Sequence, residues 1–198
     1  MKDESGNIFQ PQEGYRKFSV TNQAFTSQFA INCSADRLPE LLLTLTRVCF
    51  SDTAYGIIEY YSLGENNENV LETYLSPFLD LSIIVSVFKN YMFQLVNDGQ
   101  VAFGFAWYDT KRHEEIFVDD HKIITVMTSQ FHTVTGVLQD ADIPEIDNLE
   151  FISQHAHGHL NLTAIAKLSE NPELLTALTE KQINYTGEII KTLNMKKQ

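Results

Sequence analysis

Three β-rich segments between residues 101 and 128 constrain the fold more than any other feature of this chain. Val101–Tyr108, His113–Val118 and Lys122–Thr128 are rich in β-branched and aromatic residues, and only short polar turns separate them. Connections this short join antiparallel neighbours, because a parallel crossover needs a dozen or more residues. The pattern therefore predicts a three-stranded antiparallel meander.

Further strands and helices are expected around this meander. Apolar and β-branched runs predict strands near residues 17–20, 25–33, 54–63 and 149–154. Apolar residues at helical spacing predict helices near residues 37–50, 78–97 and 172–194, with a short helix over 131–139. The predicted fold class is α+β, an antiparallel sheet packed by helices. The polar residues 1–14 are expected to form a flexible arm, and residues 15–198 a single α+β domain.

The charge balance restricts the partners of the protein. Lysine and arginine number 14 against 26 aspartates and glutamates, which gives a formal net charge of -12. Such a chain repels nucleic-acid phosphates and anionic lipid, and it attracts basic proteins. The two cysteines, Cys33 and Cys49, form no disulfide framework, and the longest apolar segment, 78–96, is interrupted by charged side chains. We expect a cytoplasmic protein that binds neither nucleic acid nor membrane.

Acidic side chains are the candidates for contact with a basic partner, because acidic patches accelerate association with basic proteins. The candidates are Glu114, Glu115, Asp119, Asp120, Asp140, Asp142, Glu145 and Asp147. The alternatives are an acid/base pair or a charge-protected hairpin edge around residues 112–122, and a solvated loop around 140–150. A Ca²⁺ site in the second segment would lack the spacing and central glycine of an EF-hand loop.

Three histidines at alternate positions, His155, His157 and His159, form the densest candidate metal site. Alternate residues of an extended strand share one face, and three imidazoles suit Zn²⁺, Ni²⁺ or Cu²⁺. Because the three positions span about 13 Å, a tetrahedral site requires a bend at Gly158, or two histidines with a distant carboxylate. The run resembles the His-x-His-x-Asp-His motif of metallo-β-lactamase-type hydrolases, but Gly158 replaces the motif's Asp, and no histidine follows His159.

Three functional classes follow. The chain contains no Gly-x-Gly-x-x-Gly, no Walker phosphate loop and no Gly-x-Ser-x-Gly elbow. The first hypothesis is therefore a non-enzymatic acidic protein that docks a basic partner and needs no cofactor. In composition and size it is similar to bacterial immunity proteins and other small inhibitors. The alternatives are a metal-dependent hydrolase or metal-binding protein that uses the histidine run, and an oligomeric structural module.

Overall fold

An antiparallel sheet organises the molecule in the computed structural model, which describes residues 11–21, 24–63, 68–155, 157–162, 164 and 184–198. The strands are β1 (Gly14–Ser19), β2 (Ser27–Asn32), β3 (Thr53–Leu63), β4 (Asn69–Leu75), β5 (Leu79–Asp80), β6 (Val101–Tyr108), β7 (His113–Val118), β8 (Ile124–Thr128) and β9 (Lys196–Lys197). Their order is β1-β2-β8-β7-β6-β3-β4-β9, with β5 paired to β3. The predicted meander is confirmed as β6-β7-β8, and the strand order places it in the middle of the sheet.

Helices pack against one face of this sheet. They are α1 (Leu38–Cys49), α2 (Leu81–Asn90), α3 (Met92–Asn97), α4 (Phe131–Asp140) and α5 (Tyr185–Thr192). Their apolar side chains enclose Phe103 and Phe105 of β6, both fully buried. The α+β class is therefore confirmed.

Alternation along β7 shows how the sheet divides its two faces. Glu114, Ile116 and Val118 are buried on the helix-covered face, whereas the residues between them are half-buried. Because successive strand residues point to opposite faces, Glu114 is drawn into the interior by the same register that buries its apolar neighbours.

Several elements differ from the prediction. The helix expected over 78–97 is two helices, because the chain leaves helical geometry at Tyr91, with ψ 15°. Strand β4 was not predicted, because its apolar residues occur in adjacent pairs, Val70-Leu71 and Tyr74-Leu75, and do not alternate with polar residues. Residues 149–154 form no strand: they are a loop followed by a 3-10 turn at Ile152–Gln154. Leu149 and Phe151 alternate because both pack on Ile123 in a small second cluster, not because the segment pairs with the sheet.

The ends of the chain are described only in part. Residues 1–10 of the expected arm and residues 172–183 of the expected last helix lie outside the described residues. Near the start, the Gln12 carbonyl accepts a hydrogen bond from Asn32, and Glu13 pairs with Arg37. Among the described helices, none has the length and apolar character needed to cross a membrane.

Candidate metal centre

A tight turn between β7 and β8 presents His121. The Lys122 amide donates to the Asp119 carbonyl over 3.0 Å, and the Asp119 amide donates to the Ile123 carbonyl over 3.1 Å. Lys122 has φ 65°, the left-handed conformation that completes a three-residue hairpin loop of this kind. The Asp119 carboxylate also accepts from the Ile123 amide over 2.9 Å. These bonds hold the turn rigidly at the end of the meander.

The histidine run crosses the beginning of β6, beside this turn. The Gly99 amide donates to the Leu160 carbonyl over 3.0 Å, and Asn161 donates to the Gln100 side chain over 3.1 Å. A Cβ atom on Gly99 would lie 3.0 Å from the Leu160 carbonyl oxygen, so the absence of a side chain permits this close approach. The crossing carries the histidine run to the turn that contains His121.

Three imidazoles meet where these two segments converge. The ring of His121 lies 4.6 Å from the ring of His157 and 4.6 Å from that of His159, measured between centroids. One nitrogen of each ring lies within 4.8 Å of the others, and all three side chains are half-buried. A zinc ion with nitrogen ligands at about 2.1 Å would place them about 3.4 Å apart, so small ring rotations suffice to enclose it.

Hydrogen bonds to the backbone determine the tautomers of two of these rings. Nδ1 of His157 lies 2.6 Å from the His155 carbonyl oxygen, and Nδ1 of His159 lies 2.6 Å from the Gly99 carbonyl oxygen. A carbonyl only accepts, so each Nδ1 carries the proton, and in the neutral ring each Nε2 carries a lone pair. The two Nε2 atoms are 2.9 Å apart. Two lone pairs this close repel each other, unless one ring carries a second proton and donates it to the other or a metal ion binds both nitrogens.

The Asp120 carboxylate lies beside the outer nitrogens of two of these rings. One of its carboxylate oxygens is 2.7 Å from Nδ1 of His121, and the other is 3.4 Å from Nδ1 of His159. A carboxylate that accepts from the outer nitrogen of an imidazole orients the ring and makes its inner nitrogen more basic. Asp119 lies farther away, with its oxygen 3.7 Å from Nδ1 of His121. Asp119, Asp120 and His121 nevertheless form a second, overlapping group of potential ligands.

A buried amine lies behind the cluster. Lys122 donates to the Val101 carbonyl over 2.5 Å. Burial lowers the pKa of its amine to about 8, against the opposing influence of Asp98, Asp119 and Asp120. Burial also raises the pKa of Asp119. The carboxylates and the amine therefore surround the histidines with charges that are only partly solvated.

The structure brings together two of the three histidines predicted as ligands. Nε2 of His155 lies 3.4 Å from a Glu150 carboxylate oxygen, and His155 does not belong to either ligand group found among the described residues. His121 takes its place. The sequence marks the polar turn around His121, but no local spacing relates that turn to a segment more than 30 residues later, so His121 was missed.

The predicted partner-binding residues of β7 and the following turn are not all available at the surface. Glu114 is 1% exposed, and one of its oxygens accepts from Arg112 and from the Ser129 amide. Glu115 pairs with His113 over 3.0 Å. Asp119 and Asp120 belong to the histidine cluster, as described above.

The acidic residues that follow α4 are exposed. Asp140 and Asp142 line a groove of about 460 Å³ between α1 and α4. Glu145 pairs with Lys17 over 3.0 Å, and Asp147 is exposed. This part of the predicted partner-binding set therefore lies on the surface.

Comparison with known proteins finds no match: no family model, no curated protein and no solved structure is significantly similar to this chain. The function proposed for the cluster therefore rests on its own chemistry.

Proposed function

We propose that this protein binds a divalent transition metal, with Zn²⁺ favoured, through His121, His157 and His159. The observation that carries the proposal is the 2.9 Å approach of two Nε2 atoms whose rings both use Nδ1 to hydrogen-bond a backbone carbonyl. A metal ion that binds both nitrogens replaces this close contact with two coordinate bonds, and it competes with the proton that the two rings would otherwise share. Imidazole nitrogens are ordinary ligands of zinc.

The ligand set also supports a hydrolytic role. Three protein ligands leave one position of a tetrahedral zinc ion for water, which is the arrangement of catalytic zinc sites. The cluster is accessible, since 18% of the His121 side chain and 28% of the His159 side chain are exposed. A zinc-bound water ionises near neutral pH and becomes a nucleophile. The proposed activity is metal-dependent hydrolysis, and Asp120 is its positioning residue.

Replacing His121 and His155 separately gives a decisive experiment. Untagged protein is stripped with a chelator and titrated with ZnCl₂ by calorimetry. Wild-type protein is expected to bind one ion. His121→Ala should weaken binding by at least about 100-fold, because loss of a metal ligand lowers the affinity more than loss of a residue that hydrogen-bonds to a ligand. His155→Ala is the matched control and should bind as the wild type does. Stoichiometric binding that is lost in His155→Ala and kept in His121→Ala would refute this ligand set.

A second candidate function rests on the groove between α1 and α4. Besides Asp140 and Asp142 it is lined by Asp36, Glu40 and the buried residue Leu41, and by one cationic residue, Arg37, which pairs with Glu13. Four carboxylates against one guanidinium, together with apolar lining residues, complement a basic segment with an apolar side. This surface fits the docking of a basic protein, in the manner of an inhibitor or immunity protein.

Charge reversal tests the docking surface. Partners are captured from a cell lysate by wild-type protein and by the double variant Asp140→Lys with Asp142→Lys, and Asp52→Lys is the exposed control. The expected result is a basic protein retained by wild type and control, lost in the double variant, and released as ionic strength rises. A partner that all three proteins retain in high salt would contradict docking at this groove.

A further inference from the structure

A second polar cavity lies beside the histidine cluster. It has a volume of about 140 Å³ and is lined by Tyr60, Tyr61, Asp98, Gln100, Val101, Asn161, Tyr185 and Thr186. The chain from 98 to 101 contributes to both sites, because the Gly99 carbonyl accepts from His159 while its neighbours line the cavity.

Asp98 is the chemically distinctive residue of this cavity. It is 7% exposed, and the Tyr185 side chain beside it is 2% exposed. One Asp98 oxygen accepts from the Gln100 amide over 3.1 Å. Burial raises the pKa of Asp98, while the Gln100 amide, the charge of Lys122, the Tyr185 hydroxyl and the Leu162 amide act to lower it. The ion pairs formed by the described residues include none with Asp98. The positive charge of Lys122 acts on Asp98, and the Lys122 amine donates a hydrogen bond to the Val101 carbonyl.

The composition of the cavity wall defines the ligand. The described residues that line it are one aspartate, three tyrosines, two residues with carboxamide side chains, a threonine and a valine, and none of these described residues is cationic. An anion in the cavity would meet the Asp98 charge, which Lys122 offsets only from outside the lining, whereas a cation would lie beside a carboxylate of opposite charge. The faces of tyrosine rings also attract ammonium groups.

We propose that this cavity binds the primary ammonium group of a small organic molecule, with Asp98 as its counter-ion and Tyr61 at its entrance. Asp98 forms the polar base of the site. Gln100 Oε1 already accepts from Asn161, and Asn161 Oδ1 accepts from the Ala164 amide, so each oxygen retains one lone pair for an N–H donor of the ligand. The inference goes beyond the metal centre and does not depend on it, because no lining residue is one of the proposed metal ligands.

Three isosteric probes test the charge preference. The full-length ¹⁵N-labelled protein, treated with EDTA, is titrated with n-propylammonium, n-propanol and propionate. The expected result is saturable shifts of the Gln100, Asn161 and Thr186 amides with n-propylammonium only. Equal binding of n-propanol, or no saturable shift at these amides, would overturn the proposal.

Substitutions then identify the counter-ion. Asp98→Asn should weaken n-propylammonium binding at least tenfold, whereas Asp52→Asn, which removes an exposed charge, should leave it unchanged. Unchanged affinity in Asp98→Asn would refute the assignment of Asp98 as the counter-ion. If circular dichroism shows that Asp98→Asn does not fold, Tyr61→Ala replaces it, because Tyr61 is 43% exposed. The expected loss with Tyr61→Ala is then at least threefold, and wild-type affinity would refute the site.

A third variant separates this inference from the metal centre. His157→Ala, which removes a proposed zinc ligand, should retain n-propylammonium binding. Retained binding in this variant together with absent zinc binding in the wild type would leave the cavity standing and the metal centre refuted.

Discussion

Replacing Asp120 with asparagine tests whether the histidines form a supported metal centre. The wild-type carboxylate reaches two outer nitrogens, with one oxygen 2.7 Å from His121 and the other 3.4 Å from His159. Asparagine keeps the shape but has a single acceptor oxygen and no charge. Its oxygen can still accept from Nδ1–H of His121, but its amide N–H then faces Nδ1–H of His159, which already donates to the Gly99 carbonyl, and two donors are set face to face.

The magnitude follows from the number of ligands affected. Loss of an outer-shell partner typically lowers metal affinity about 10- to 100-fold. We expect the upper half of this range for Asp120→Asn, because a single substitution disturbs two of the three ligands. The full range corresponds to about 1.4 to 2.7 kcal/mol of binding free energy. The fold should persist, since the buried core lies on the helix-covered face of the sheet.

The assay is competition for Zn²⁺ against a chromophoric chelator, with circular dichroism as the check on folding. Asp119→Asn is the matched control, because its nearer oxygen is 3.7 Å from His121 and lies beyond hydrogen-bonding distance. We expect it to change affinity less than about threefold. If Asp119→Asn costs as much as His157→Ala, the ion lies on the carboxylate side of His121 and the reasoning is refuted.

Three further predictions concern the fold and its titrating groups. Gly104→Ala should destabilise the protein by about 1–3 kcal/mol in urea unfolding, because the new Cβ would lie 2.3 Å from the Ile116 carbonyl oxygen. Gly136→Ala, with open space around the new Cβ, should instead stabilise α4 by about 0.5–1 kcal/mol. Burial, followed by the charge of a nearby glutamate, raises the pKa of the Cys49 thiol to about 12, so iodoacetamide at pH 8 should alkylate it at least about 100-fold more slowly in native than in unfolded protein. A tyrosine hydroxyl, followed by a serine hydroxyl and a lysine, lowers the pKa of Glu72 to about 2 from 4.5, so its contribution to stability is present above pH 4.5 and is lost as the pH falls toward 2. The unfolding free energies of wild type and Glu72→Gln should therefore differ at pH 7 and converge near pH 2, and a constant difference would contradict this assignment.

The meander was predictable because its information is local. Strand periodicity, β-branched composition and short polar turns occur within residues 101–128, and they specify antiparallel pairing without reference to the rest of the chain. The helix α1 was predictable for the same reason, since a proline lies in its first turn and its apolar face repeats at helical spacing. Strand β4 and the break at Tyr91 were not, because neither leaves a regular pattern of apolar residues.

The amino-acid sequence by itself determined the fold class, the acidity of the chain and the presence of closely spaced imidazoles. Only the tertiary structure decided which imidazoles meet. Alternation along the sequence predicts His155 as the third metal ligand. In the structure the third imidazole of the cluster is His121, because residues 157–161 cross over Gly99 and thereby reach the β7–β8 turn. The physical reason is that metal ligands must converge within a few ångströms in space, and a distance between residues 38 positions apart is set by strand order and register.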